Sequence, residues 1–186
     1  TPTGLQGITW LILICLVGVS IISYVFNSYA SLIIALIQLV TWVNFQFLAI
    51  MALKTSLDLQ FILFLTISLS LAAAFYGLSL IHNSINHRFS SLFKWWTLLY
   101  LLGFAYLMSF QYVFPSLTFA GFGSSTSLMV FFFAILIISA SLFIFGSVFA
   151  VSKKQTDWKE VLGVAGVIIL LIVVMFITTI FSMNLG

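Results

Sequence analysis

Long apolar runs separated by short polar clusters make up nearly the whole chain. Cutting it at charges, prolines and polar groups leaves six runs, at roughly 5–26, 29–53, 58–82, 93–114, 127–151 and 160–183. Each has the roughly 20 residues that carry an α-helix across a hydrocarbon core about 30 Å thick. "NSYAS" parts the first run from the second, "LKTSLD" the second from the third, and "FPSLTFAGFGSST" the fourth from the fifth. The most polar break, "LSLIHNSINHRFSSLFKWW" at 78–96, lies between the third and fourth. In the last break, "SKKQTDWKE", Thr156 followed by Lys159–Glu160 predicts a helix start.

Composition turns these runs into a fold class. Of 186 residues, 63% are hydrophobic and only 5% charged, against roughly 25% charged in a soluble domain. So few ionisable groups cannot give a water-facing surface to a fold of this size, so lipid is the solvent. Outer-membrane barrels alternate apolar and polar positions, which these runs do not. The reading is an all-α integral membrane protein, a bundle of about six transmembrane helices forming one domain over 1–186. The first run has no basic flank and no small-residue cleavage site, and reads as a retained span. No convincing inverted repeat relates the first three runs to the last three, which weighs against a secondary transporter.

Charge then sets orientation. Six spans put the second-to-third and fourth-to-fifth loops on one side with both termini, and that side holds Lys54. The other holds Arg88, Lys94, Lys153, Lys154 and Lys159. Five basic residues against one give a positive-inside signal, so the basic side is cytoplasmic and both termini face outward. Trp95, Trp96 and Trp158 fall at the same interface, where indole rings anchor. The expected location is the cell membrane of a prokaryote, crossed several times. A net charge of +3 this scattered does not suggest nucleic acid.

Candidate chemistry is sparse. Cys15 is the single cysteine, which leaves no internal disulfide and no cysteine metal cage. His82 and His87 are five apart, about 140° from each other on a continuous helix, whereas paired metal ligands on one helix are better placed three or four apart. With Arg88, Lys94, Trp95 and Trp96 they read as interface and lipid-headgroup residues. Lys54, Asp58, Asp157 and Glu160 all fall at span ends, so no charge marks an ion path at mid-depth. The polar residues inside spans are Gln38, Thr41, Asn44 and Gln46 in the second and Gln111 in the fourth; these read as inter-helix or subunit packing groups. Small residues mark further packing faces, namely Ala72–Ala73–Ala74 with Gly77, Ser139 with Gly146, and Gly163 with Gly166. No phosphate loop, activated nucleophile or carboxylate pair is present, so no catalytic, cofactor or metal residue is assigned to this chain.

One segment carries a resemblance. "RFSSLFKWWTLLYLLGFAYLMSFQYVFPSLTFAGFGSSTSLMVFFFAILIISASLFIFG", residues 88–146, resembles the fourth-to-sixth helix region of subunit III of haem-copper terminal oxidases. The matching features are Arg88 and Lys94 at a basic turn, Trp95–Trp96 at a helix start, Leu102–Gly103, Gln111, Gly121–Ser125, and Phe131–Phe133. "FILFLTISLSLAAAFYGLSLI" before it is similar to the family's preceding helix. The chain departs from the family at its polar positions. Where the family has an intramembrane glutamate, only Gln38, Asn44 and Gln46 stand. No acid follows Gln111, and the family's paired histidines would fall near Ser139 and Leu142. The resemblance implies a non-catalytic subunit of a quinol or cytochrome oxidase that packs against a large subunit I-like chain and binds structural lipids. Haem and copper would then be held by that partner. The alternatives are an accessory subunit of another quinone-linked redox or monooxygenase complex, or a small stand-alone transporter or channel.

Overall fold

The computed structural model describes residues 2–51, 57–108 and 126–184. Among them there are six helices and no strand: α1 (Pro2–Val25), α2 (Tyr29–Met51), α3 (Leu57–Ser84), α4 (Ser90–Met108), α5 (Thr126–Ser152) and α6 (Trp158–Asn184). Four described stretches are long and apolar enough to cross a membrane: Gly7–Val25, Tyr29–Phe47, Leu63–Ser84 and Val130–Ser152. A helix is the form that lipid demands, since it satisfies every mid-span backbone group internally. Lys54, the 109–125 segment with Gln111, and the Gly121–Ser125 loop lie outside the described residues.

Three of the helix ends share one device. Asn27, Asn86 and Lys154 have positive φ, at 49°, 53° and 56°. Around each, the following amide reaches back to the last turn: Ser28 to the Ser23 carbonyl at 2.9 Å, His87 to His82 at 2.8 Å, and Gln155 to Ala150 at 3.1 Å. A second bond closes inside it in every case, from Asn27 to Tyr24, Asn86 to Asn83 and Lys154 to Val151. This is the Schellman arrangement, which satisfies the orphan carbonyls of a helix end with one left-handed residue. The uncharged boundary "NSYAS" is thereby a defined stop. Ser28 then starts α2, with its carbonyl accepting from Leu32 at 3.1 Å and its hydroxyl from the Ser31 amide at 3.3 Å.

The chain gathers into two compact units, residues 1–55 with 124–128, and 56–123 with 129–186. In the first, α1 and α2 pack against each other. Of the described α1 side chains only Thr9 and Ser23 are buried, while Trp10, Leu11, Ile14, Val17, Ile21 and Val25 are exposed. α2 buries Leu32, Ala35, Leu36, Val43 and Phe47, spaced as one helical stripe.

The second unit is built around α3, which buries residues on nearly all its faces from Leu63 to Ser84. α3 and α4 form an antiparallel hairpin in a fixed register. The Thr97 hydroxyl reaches the Ala72 carbonyl at 3.5 Å, Phe75 is ringed by Phe93, Trp96 and Tyr100, and Ser79 meets Ser90. α6 joins through Leu65, Leu69 and Phe104, against which Ile168, Leu171 and Ile172 pack. A second cluster draws in α5, with Tyr76, Leu80, Ala150 and Val161 surrounded by Phe143, Val151 and Val164.

Small residues set the closest approach. A methyl group on Gly77 would collide with the Leu142 carbonyl of α5, and one on Gly146 with the Gly77 carbonyl. The hydrogen each glycine carries in that direction therefore points at a carbonyl oxygen, a Cα–H···O contact of the kind that recurs where helix backbones touch. Gly163 and Gly166 do not pack inside the bundle. Nothing lies within 4 Å of where their Cβ atoms would be, and both face outward.

Candidate functional site

The turns after α3 and after α5 lie at one end of the second unit. The Gln155 side-chain amide donates to Asn86 Oδ1 at 3.4 Å, which ties the two turns together. Lys94 on α4 pairs with Glu160 on α6 at 3.1 Å. The same carboxylate oxygen accepts the hydroxyl of Tyr76 on α3 at 3.3 Å, so Glu160 joins three helices. Both charged partners are more than a third exposed, so solvent screens the pair heavily. Tyr76 is buried, and its hydroxyl is satisfied by the Glu160 carboxylate.

The histidines lie within this end. α3 stops at Ser84 and the left-handed Asn86 turns the chain back, so the 140° separation of a continuous helix does not arise. The rings instead come to 5.4 Å between centroids. His82 is buried, lies 4.9 Å from the Phe93 ring and bonds the Leu78 carbonyl through Nδ1 at 2.7 Å. A carbonyl only accepts, so the His82 proton sits on Nδ1. The Phe89 amide donates to Nδ1 of His87 at 3.3 Å, so that nitrogen carries a lone pair. The backbone amide of His87 is the one that closes the Schellman turn on His82. Each ring thus meets a backbone group through Nδ1, His82 the Leu78 carbonyl of α3 and His87 the Phe89 amide in the turn. Among the described residues, no three of His, Cys, Asp and Glu gather as metal ligands do.

Below the turn, Ser79 and Ser90 clasp each other. Each hydroxyl donates to the other's carbonyl at 3.0 Å, and both side chains are buried. The tryptophans divide. Trp95 and Trp158 are exposed, as interface anchors are, whereas Trp96 turns inward to Phe75 with centroids 6.1 Å apart. Arg88 and Lys153, Lys154 and Lys159 are exposed at this end. α6 begins one residue later than the Thr156 signal predicts. The Asp157 carbonyl accepts the first helical bonds, from Glu160 and Val161, while the buried Thr156 hydroxyl has no partner.

The polar residues of α2 stand apart from this end. Gln38, Thr41, Asn44 and Gln46 are all partly buried. Asn44 donates to the Val40 carbonyl of its own helix at 2.7 Å, and the buried Oε1 of Gln38 has no hydrogen-bond partner. Sequence reasoning missed Tyr76, Ser79, Ser90, Asn86 and Gln155. For Asn86 a signal was present, an asparagine just past an apolar run, a common left-handed residue. The Ser79–Ser90 clasp carried none, because single serines are frequent along these helices.

Comparison with protein-family models, with curated proteins and with solved structures finds no match. Among its described residues the chain is helical, with four helices long and apolar enough to cross a membrane.

Proposed function

We propose that this chain is a non-catalytic integral membrane subunit of a prokaryotic respiratory terminal oxidase, similar to subunit III, which supports assembly of the haem-copper subunit. In this reading all six helices cross the membrane, the basic end faces the cytoplasm and both termini face outward. Haem and copper belong to the large partner, and lipids fill the remaining surface. The observation that carries the reading is the likeness of residues 88–146 to that family: a basic turn at Arg88–Lys94, Trp95–Trp96, Leu102–Gly103 and the Phe-rich start at Phe131–Phe133.

Two structural features support a scaffolding role. The polar groups at the basic end are engaged in holding helices and turns together: Glu160 with Tyr76 and Lys94, Gln155 with Asn86, Ser79 with Ser90. The outward faces of α1 and α5 are broad and apolar, including Ile14, Ile21, Ile137, Ile144 and Val148, and such faces suit lipid or a second membrane chain. Affinity purification through a tag on this chain, from gently solubilised native membranes, tests the reading. A co-purifying large subunit with the absorption spectrum of a haem-copper oxidase is the expected result. A purified complex without haem would overturn it.

A further inference from the structure

His87 sits where the α3–α4 turn is drawn together, and three of its groups hold backbone. Its amide closes the Schellman turn on the His82 carbonyl at 2.8 Å, and its own carbonyl accepts from the Ser90 amide at 3.2 Å. Its Nδ1 accepts from the Phe89 amide at 3.3 Å, beside the fully buried Phe89 ring, whose centroid lies 4.6 Å away. The His82 ring packs edge-on against it, 5.4 Å between centroids. The two Nδ1 atoms have opposite roles, since that of His82 donates to the Leu78 carbonyl. A proton added to His82 goes to Nε2 and leaves its bond in place. A proton added to His87 goes to Nδ1 itself, and an N–H cannot accept from the Phe89 amide.

Imidazole is the side chain that ordinarily changes charge between about pH 8 and about pH 5, a range over which carboxylates, lysines and arginines keep theirs. The titratable and charged neighbours at this end are Tyr76 and His82 on α3, Arg88 in the turn and Lys94 on α4. Lys153 and Lys154 follow at the end of α5, and Asp157, Lys159 and Glu160 at the start of α6. Glu160 is taken up by Lys94 and Tyr76, and Asp157 stands in a connection with three lysines. A positive charge on His87 therefore enters an end already richer in basic than in acidic side chains. The same turn carries Asn86, which accepts from Gln155 and so joins the α5–α6 turn. We propose that His87 is an acid-released latch: neutral, it fastens the Phe89 amide into the α3–α4 turn, and protonated on Nδ1, it releases that amide and slackens the tie from Asn86 to Gln155. The bond exists while the ring is neutral, so it is complete at the alkaline end of the range and lost as the pH falls. The release stays local, because the Ser79–Ser90 clasp below the turn contains no group that titrates there.

Only the compartment whose acidity the latch reports, the cytoplasm, rests on the proposed orientation; the latch itself rests on the turn. It is tested by nuclear magnetic resonance on the full chain alone, isotope-labelled and folded in lipid–detergent micelles, at the two ends of that pH range. At the alkaline end, the imidazole nitrogen shifts should show Nδ1 without a proton in His87 and with one in His82. The protection of the Phe89 amide, corrected for the pH dependence of exchange itself, should fall by about fivefold at the acid end, the factor that one ordinary neutral hydrogen bond contributes. The Ser28 amide closes the same kind of turn after α1 with no histidine, and its protection should hold steady. His87→Asn places a carbonyl oxygen near the position of Nδ1, which accepts the amide and never gains a charge. Phe89 should then be equally protected at both ends of the range, whereas His82→Asn should leave the pH dependence in place. Equal protection of Phe89 at both ends in the unaltered chain would overturn the latch, as would a His87 whose Nδ1 carries the proton at the alkaline end. So would a fall that survives in folded His87→Asn, or one that disappears in folded His82→Asn. The first two results need no variant to fold, and failure of the chain to purify with a haem-copper subunit leaves all four readable.

Discussion

Replacing Gly77 by alanine should separate α3 from α5. The added methyl would meet the Leu142 carbonyl and the Phe143 amide nitrogen, backbone atoms that cannot rotate away. Ordinary contact begins near 3.4 Å, so the helices would have to part by about 1 Å. A gap of that size forfeits a quarter to a half of the dispersion energy of the atoms facing it, and the cluster of Tyr76, Leu80, Ala150 and Phe143 lies beside the crossing. Overfilling of this kind costs about 1–3 kcal/mol. It outweighs the gain of up to ~1 kcal/mol when alanine replaces glycine inside a helix. Gly146→Ala meets the Gly77 backbone, its Cβ falling 3.0 Å from the Gly77 Cα, and should behave alike. The double variant should lose less than the two losses added, because one separation relieves both collisions. Gly163→Ala supplies the opposite sign: with open space around it, only the helix gain remains. Reversible unfolding of the purified chain in mixed micelles, followed by circular dichroism, reads all four. If Gly77→Ala proves as stable as Gly163→Ala, the glycine crossing is not where the structure has it.

Three further outcomes follow from the basic end. Glu160→Leu strands the buried Tyr76 hydroxyl and should cost about 1–3 kcal/mol, whereas Lys94→Ala removes a screened surface pair and should cost less than ~1 kcal/mol; equal losses in the same unfolding assay would contradict the role given to Tyr76. Asn86→Gly keeps the left-handed turn and loses the bond from Gln155, while Asn86→Val must force a branched side chain into φ 53° at about 1–2 kcal/mol; a valine variant as stable as the glycine one would speak against the Schellman turn. His87→Ala with His82→Ala should leave an assembled and spectroscopically normal complex, because both rings serve the turn. Loss of activity in an intact complex would instead reveal a chemical role for them.

Element identity was legible in the sequence to a degree that interactions between elements were not. Among the described residues the six apolar runs match six helices, since length and apolarity act locally. α3 runs past its predicted end and α4 starts before its predicted beginning, because the polar residues at 83–84 and 90–91 still satisfy helical bonds or cap them. The stop after α1 rests on Asn27, a residue type that signals it. The stop after α5 rests on Lys154, whose side chain carries no such signal. The closeness of the two histidine rings is not legible in the sequence, because it depends on the chain reversing at Asn86. The glycines show the limit most plainly. Gly77, Gly146, Gly163 and Gly166 look alike in sequence, and only the long-range pairing of α3 with α5 gives the first two a neighbour and leaves the others facing outward. The clasp between Ser79 and Ser90 is hidden for the same reason, since its meaning lies in the hairpin register.

The central claim is that this chain serves a haem-copper oxidase without holding its metals. The most direct measurement is the reduced-minus-oxidised absorption spectrum, with subunit identification, of the complex purified through this chain from native membranes. The expected result is the spectrum of a haem-copper oxidase with a large multi-span partner present, and no haem when this chain is purified alone. A haem-free complex that retains its subunits, or haem that stays with the isolated chain, would contradict it.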